Sequence, residues 1–236
     1  MPKIVFDIET IGVDYDSLDE TTQKSLSGWI ERETQDEKDY ERMMRAMKEG
    51  LGFSPLTGEI VAIGLLNPET NKGAVYFQAP GKEIKPFEEE GVKFESGSES
   101  EILQKFWSDT ARYDEFISFN GRAFDVPFLM IRSAIHKIRP TKDLMSNRYL
   151  TSQKFASRHI DLLDQLTFYG AVRRKGNIHL WCRAFDIKSP KADGVTGHDV
   201  AELFKREDYE KIARYNVGDL RATKDLYEYW EKYIRF

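Results

Sequence analysis

The run KIVFDIETIG at residues 3–12 sets two acids, Asp7 and Glu9, into a segment otherwise built to be a buried strand. Side chains two apart on a strand point to the same face. Two carboxylates on one face repel each other unless a cation lies between them. A hard, oxygen-seeking ion such as magnesium or manganese suits that ligand set. A solvated or helix-capping pair is the plain alternative, because D-x-E is a very short motif.

Three more residues carry comparable chemistry. Asp125 precedes VPFLM, where an acid before a proline-containing first turn would cap a helix. The preceding NGRAF reads as a loop leaving a buried strand, which would carry Asp125 to a strand edge beside Asp7 and Glu9. Tyr215 and Asp219 stand four apart in an amphipathic segment, hence on one helix face. A tyrosine, with a reference pKa near ~10, is a poor general base but a good orienting group for water. A metal would supply the acidity instead.

At 236 residues, 40% apolar and 13% aromatic, the chain is long enough for one large domain with a sizeable core. No apolar run approaches the ~18 residues of a membrane span. The N-terminus enters the first strand directly, with no signal peptide in view. The single cysteine, Cys182, excludes an internal disulfide and a cysteine-rich zinc site, and a cytoplasmic setting is expected. The net charge of −5 at first opposes a nucleic-acid partner. Residues 14–49, however, hold 11 acids and 6 bases, leaving 29 of each elsewhere, so the rest of the chain is neutral.

The pattern predicts a strand over Lys3–Phe6, ending at Asp7-Ile8-Glu9, then an interruption of helical character at about 13–58. Thr34 with Glu37 resembles a capping box, Gly50 a C-cap, and Tyr40, Met43, Met44 and Met47 recur at helical spacing between them. That methionine-rich face would pack on the domain or dock a protein partner. Glu59–Leu66 and Ala74–Gln78 predict a hairpin, residues 80–97 a loop, and Ser98 the cap of a helix over Glu99–Ala111. A central strand follows at Phe116–Phe119 and a helix from Asp125. Helical pieces are expected at His159–Leu166, Leu180–Ile187 and Asp199–Lys205, and a long helix over Asp208–Lys232. Strands interleaved with helices give an α/β fold, a mixed sheet flanked by helices.

Together, FDIET, NGRAFD and YNVGD resemble the three motifs of the DEDD 3′–5′ exonucleases. Arg at 214 and Tyr at 215 indicate the tyrosine subtype. GEIVAIGLL, HIDLLDQL and FDIKSPKADGVTGHDVAELF are similar to stand-alone relatives of the proofreading domain of family B DNA polymerases. The likeness covers residues 3–11 and 59–232. It implies a ribonuclease H-like fold, one exonuclease domain over residues 1–236 with an insertion, and two divalent ions, Mg²⁺ or Mn²⁺. Asp7, Glu9 and Asp219 would bind the ion that activates water, Asp7 and Asp125 would serve the second, and Tyr215 would orient the nucleophile. Thr10 and Ile11 would meet the terminal nucleotide, Asn120 and Phe124 the penultimate one, and Lys188 or Lys191 a phosphate. In relatives a short turn links the first two strands, whereas here the link exceeds forty residues and is acidic.

The leading expectation is release of nucleoside monophosphates from the 3′ end of single-stranded DNA. An RNA-trimming enzyme resembling RNase D is the alternative, separated by recognition of the ribose 2′-hydroxyl. A non-catalytic adaptor that binds ends or partners is a third reading, disfavoured by the intact carboxylate set.

Overall fold

The computed structural model describes residues 1–189 and 199–235. Its centre is strand β1 (Lys3–Gly12), flanked on one side by antiparallel β2 (Gly58–Leu66) and on the other by parallel β6 (Glu115–Ser118). Beyond β2 lie β3 (Gly73–Phe77), β5 (Val92–Ser96) and the edge strand β4 (Phe87–Glu89); beyond β6 lies β7 (Arg158–Asp161). The seven-stranded order β4-β5-β3-β2-β1-β6-β7 mixes parallel and antiparallel pairs. This α/β architecture matches the mixed, helix-flanked sheet expected and is consistent with a ribonuclease H-like fold.

Alternation along β1 divides its side chains between two cores. Ile4, Phe6 and Ile8 pack with Leu103, Phe106 and Trp107 of α4 (Glu99–Thr110) and Val126, Phe128 and Leu129 of α5 (Asp125–Ile135). Val5 joins the opposite core, formed with Val217, Leu220, Leu226 and Trp230 of α9 (Tyr209–Tyr233). Each large apolar side chain fully buried this way contributes roughly 1.5–3 kcal/mol. The same period-two rule sends Asp7 and Glu9 to the α9 side. A register shift between Glu9 and Thr10 then bends the end of β1.

The hairpin of β2 and β3 and the Ser98 cap form as expected, the latter as a full capping box with Glu101. Helix α9 also falls within a residue of its predicted bounds. Residues 80–97 depart from the predicted loop. Val92 and Phe94 alternate into the core, and Glu90 and Gly91, both at positive φ, turn the chain from β4 into β5. The Pro, Gly and Glu around them hide that short pattern.

His159–Leu166 is also not all helical. His159, Ile160 and Asp161 pair with β6, and only α6 (Leu162–Leu166) is a helix. A fully buried short strand has no polar face, so periodicity does not separate it from a helix.

The insertion holds α1 (Glu20–Ser27), α2 (Ile30–Glu33) and α3 (Glu37–Gly50). Asp36, not Thr34, caps α3, accepting from the Asp39 N–H at 2.9 Å, while the Thr34 hydroxyl donates to Ile30 O and closes α2. Gly50 is the last helical residue rather than a left-handed cap. Met43, Met44 and Met47 are half-buried, with α3 set against α1, α2 and β1. Two further short helices, α7 (Ile178–Ala184) and α8 (Val200–Lys205), pack on α9. No described helix is long and apolar enough to cross a membrane.

Candidate active site

β6 ends at Ser118, three residues into its parallel pairing with β1, and the chain turns away into α5. The second half of β1 is thereby left without a neighbour on that side. Asp125, the first residue of α5, fills the gap: its Oδ1 accepts the Ile8 N–H at 3.2 Å. The Asp125 side chain therefore does not cap α5, and Phe124 holds the N-cap position without a side-chain bond. The site lies where the carboxyl ends of two parallel strands diverge, the usual crevice of an open α/β sheet.

Asp7 and Glu9 face α9 from β1, and Asp219 faces them from α9. One ligand oxygen from each of the three lies within 4.8 Å of the others. In an octahedron with ~2.1 Å bonds, cis oxygens are about 3 Å apart and trans oxygens about 4.2 Å. The trio is therefore close to the span of one small hard cation, and its all-oxygen chemistry fits magnesium or manganese. Asp125 stands outside this trio but close enough for its charge to act on Asp7.

The electrostatics point the same way. Burial, then the charges of Asp125, Asp219 and Glu9, pushes the Asp7 carboxyl well above the ordinary range. Burial and Asp219 do the same to Glu9, against a lowering hydrogen bond from Asn216. Burial takes Asp125 up to about 7, with Asp161 and Asp219 adding to the rise and the Ile8 N–H opposing it. Such a cluster is costly when ionised and unmetallated, and a divalent cation relieves it.

The Tyr215 hydroxyl is hydrogen-bonded to Asp219, one helical turn away. Burial and the charges of Asp219 and Glu9 hold its pKa far above the ordinary tyrosine value. The phenol stays protonated and can donate a hydrogen bond.

Residues 75–233 match the family described as a predicted 3′–5′ exonuclease related to the exonuclease domain of PolB. The chain belongs to this family. It is thus a hydrolytic 3′–5′ exonuclease with nucleic acid as substrate, of a kind that usually uses divalent metals. No curated protein matches the chain. The matched segment of the exonuclease contains Asp125, Tyr215 and Asp219; Asp7 and Glu9 lie upstream of it and reach the site through β1.

The other expected site residues of the exonuclease are placed unevenly. Thr10 is half-buried and its hydroxyl donates to Gly52 O at 2.7 Å, so the insertion holds it. Ile11 is half-buried against the α9-side core. Asn120 takes a left-handed backbone, φ 64°, and its N–H donates to Asp161 Oδ1 at 2.9 Å. Phe124 is half-buried, its ring 5.0 Å from that of Phe128. Lys188 is exposed beyond α7, and Lys191 lies outside the described residues.

Sequence reasoning missed three residues. Asn216 is fully buried, and its Nδ2 donates to Asp7 Oδ2 at 2.8 Å and to Glu9 Oε1 at 3.4 Å. The signal was present: Ile212, Asn216 and Leu220 fall at four-residue spacing on the buried stripe, and Asn is the polar member. Gly64, opposite Asp7 on β2, makes the space. A Cβ there would lie 1.8 Å from Asn216 Oδ1. Asp161 accepts the Asn120, Arg122 and Leu163 N–H groups at 2.9–3.0 Å and so fixes the loop before Asp125.

His159 is a core histidine, not a ligand. Its ring bridges Ser118 Oγ and Leu144 O, and burial drives its pKa down to about 3.

Proposed function

We propose that this exonuclease releases nucleoside monophosphates from the 3′ end of single-stranded DNA, with Asp7, Glu9, Asp125 and Asp219 as its metal-holding acids. The observation that carries the proposal is the Asp7–Glu9–Asp219 trio within 4.8 Å, with the Tyr215 hydroxyl bonded to one of its members. Two Mg²⁺ or Mn²⁺ ions held there would supply Lewis acidity toward a water and toward the leaving 3′ oxygen.

The chain's own groups do the rest. Asp7, Glu9 and Asp219 set the ligand geometry, and Asp125 adds a fourth carboxylate from α5. Tyr215, its proton held by Asp219, accepts a hydrogen bond from the attacking water and aligns it for in-line displacement. Thr10 and Ile11 bound the terminal nucleotide, while Asn120 and Phe124 meet the next one. Lys188, exposed beyond α7, would meet a phosphate.

Incubation with 5′-labelled single-stranded DNA and RNA, with Mg²⁺ or Mn²⁺, tests this. A ladder shortening from the 3′ end of DNA is expected, and Asp7→Ala or Asp219→Ala should abolish it. A ladder on RNA alone would replace the DNA reading with an RNA-trimming one. Binding without cleavage under either metal would sink both.

A further inference from the structure

Between α6 and α7 the chain makes a turn whose charge is opposite to that of the insertion. Residues 165–185 hold four bases, Arg173, Arg174, Lys175 and Arg183, and no acid. Arg173, Arg174 and Lys175 are exposed, and among the described residues none of their side chains has a hydrogen bond or an ion pair.

The turn is held at both ends. Trp181 Nε1 donates to Lys175 O at 2.7 Å, and Asn177 caps α7. At the other end Phe168, Tyr169 and Gly170 follow one another at φ 49°, 57° and 104°. Two bulky residues in the left-handed region are unfavourable by themselves, so their surroundings must hold them there. Tyr169 is the anchor. Its ring packs 4.8 Å from that of Tyr149, and its hydroxyl accepts a hydrogen bond from Gln165 Nε2 at 3.0 Å. Thr167 O accepts the Gly170 and Val172 N–H groups, both at 3.1 Å. With Tyr169 fixed inward, Phe168 is left outward. It is 56% exposed, and among the described residues its ring meets no other ring or cation.

Both flanks of the turn belong to the site's own framework. α6 starts directly after Asp161, whose carboxylate holds the Asn120–Arg122 loop. α6 and α7 both pack on α9, which carries Tyr215 and Asp219. Leu162, Leu166 and Cys182 lie in the α9-side core, on the sheet face to which Asp7 and Glu9 point. From Asp161 to Phe168 the chain advances about 10 Å at the helical rise, a reach of a few nucleotides.

We propose, on the reading that this exonuclease takes a single strand, that the 168–175 turn is a second nucleic-acid contact, holding the strand on the 5′ side of the nucleotides being removed. Arg173, Arg174 and Lys175 take phosphates, and Phe168 stacks on an unpaired base. Bases that track the backbone beside an aromatic platform hold a single strand without reading its sequence. Residues 14–49, with 11 acids against 6 bases, repel a phosphate backbone, and this turn attracts it. The strand therefore leaves the site on the α6–α7 side.

The test is a length series of single-stranded oligonucleotides, from a dinucleotide to about 16 nucleotides. For wild type, kcat/KM should rise with length until the strand spans the turn, then level off. Replacing Arg173, Arg174 and Lys175 together by Ala should remove most of that rise. It should also flatten the slope of log kcat/KM against log salt on the longest strand by about 2, at ~0.7 per phosphate contact. Phe168→Ala should lose about 5- to 150-fold on long strands with the salt slope unchanged, and Phe168→Trp should restore the rate. A rise with length that is the same in wild type and both Ala variants overturns the second contact and leaves the exonuclease reading standing. Equal proportional losses at every length, the dinucleotide included, would mark a structural role and overturn it too. Wild-type protein that shortens no single strand overturns the proposed function, and the turn's role with it.

Discussion

The side-chain amide of Asn216 donates to Asp7 Oδ2 at 2.8 Å, joining α9 to β1 through a bond between two residues 209 positions apart. The same nitrogen reaches Glu9 Oε1, so one neutral group holds both carboxylates of the D-x-E pair in their rotamers. Neutrality matters, since a lysine there would compete with a cation and an acid would add to the repulsion.

Asn216→Ala should therefore weaken metal binding rather than abolish the fold. Partners that orient ligands are typically worth about 10–100-fold in metal affinity. Calorimetric Mn²⁺ titration of wild type and variant reads this directly. Equal affinities would remove Asn216 from any positioning role.

Gly64→Ala should damage the site from behind. Its Cβ would meet Asn216 Oδ1 at 1.8 Å and Leu220 Cδ1 at 2.6 Å. Overpacking of this kind costs about 1–3 kcal/mol. In Gly64→Ala/Asn216→Ala the clash with the amide is gone, so urea melts of the four proteins should show the double variant more stable than additivity predicts. Strict additivity would mean the two side chains do not compete for the same space.

Tyr215→Phe should slow single-turnover cleavage about 10²-fold, the order expected when a reacting group loses its alignment. Mn²⁺ affinity should hardly change, because the hydroxyl donates to Asp219 and does not replace a carboxylate. An unchanged rate would show that the water is oriented by something else.

Glu99 should govern acid stability. It is buried at the start of α4, accepts the Ile60 N–H at 2.8 Å, and is bound by Arg132 through both oxygens and by His136 Nε2 at 2.7 Å. Burial works to raise its pKa, but the Arg132, Ile60 and His136 bonds outweigh it and hold the carboxyl below the ordinary 4.5. A depressed carboxyl contributes fully above the unfolded value and fades as pH falls through the folded one. Glu99→Gln leaves Arg132 without its counter-charge and should cost about 3 kcal/mol at neutral pH. The gap from wild type should stay level down to about pH 4.5 and narrow below it. A gap that widened on acidification would reverse the assignment.

Much of this was legible along the chain because it is local. Two acids at i and i+2 on an apolar strand must share a face, and Tyr215 and Asp219 at i and i+4 must share another. The Ser98 cap and the bounds of α9 are set by neighbours three or four residues away, so they too could be read. The β4–β5 strands and β7 escaped because each depends on which of several equally local patterns finds a distant partner, and the Asp36 cap escaped because Thr34 and Asp36 are both good local caps and the Thr34 hydroxyl turns back to Ile30 O.

By itself, then, the sequence determined which side chains would carry charge and which faces they would occupy. Only the tertiary structure decided that those faces meet. The early end of β6 left the Ile8 N–H for Asp125, the missing Cβ of Gly64 let Asn216 reach between β1 and α9, and the Thr10–Gly52 bond tied the insertion to β1. These are contacts between segments 40 to more than 200 residues apart. Their energies come from excluded volume and from pairing buried polar groups, neither of which leaves a period in the sequence.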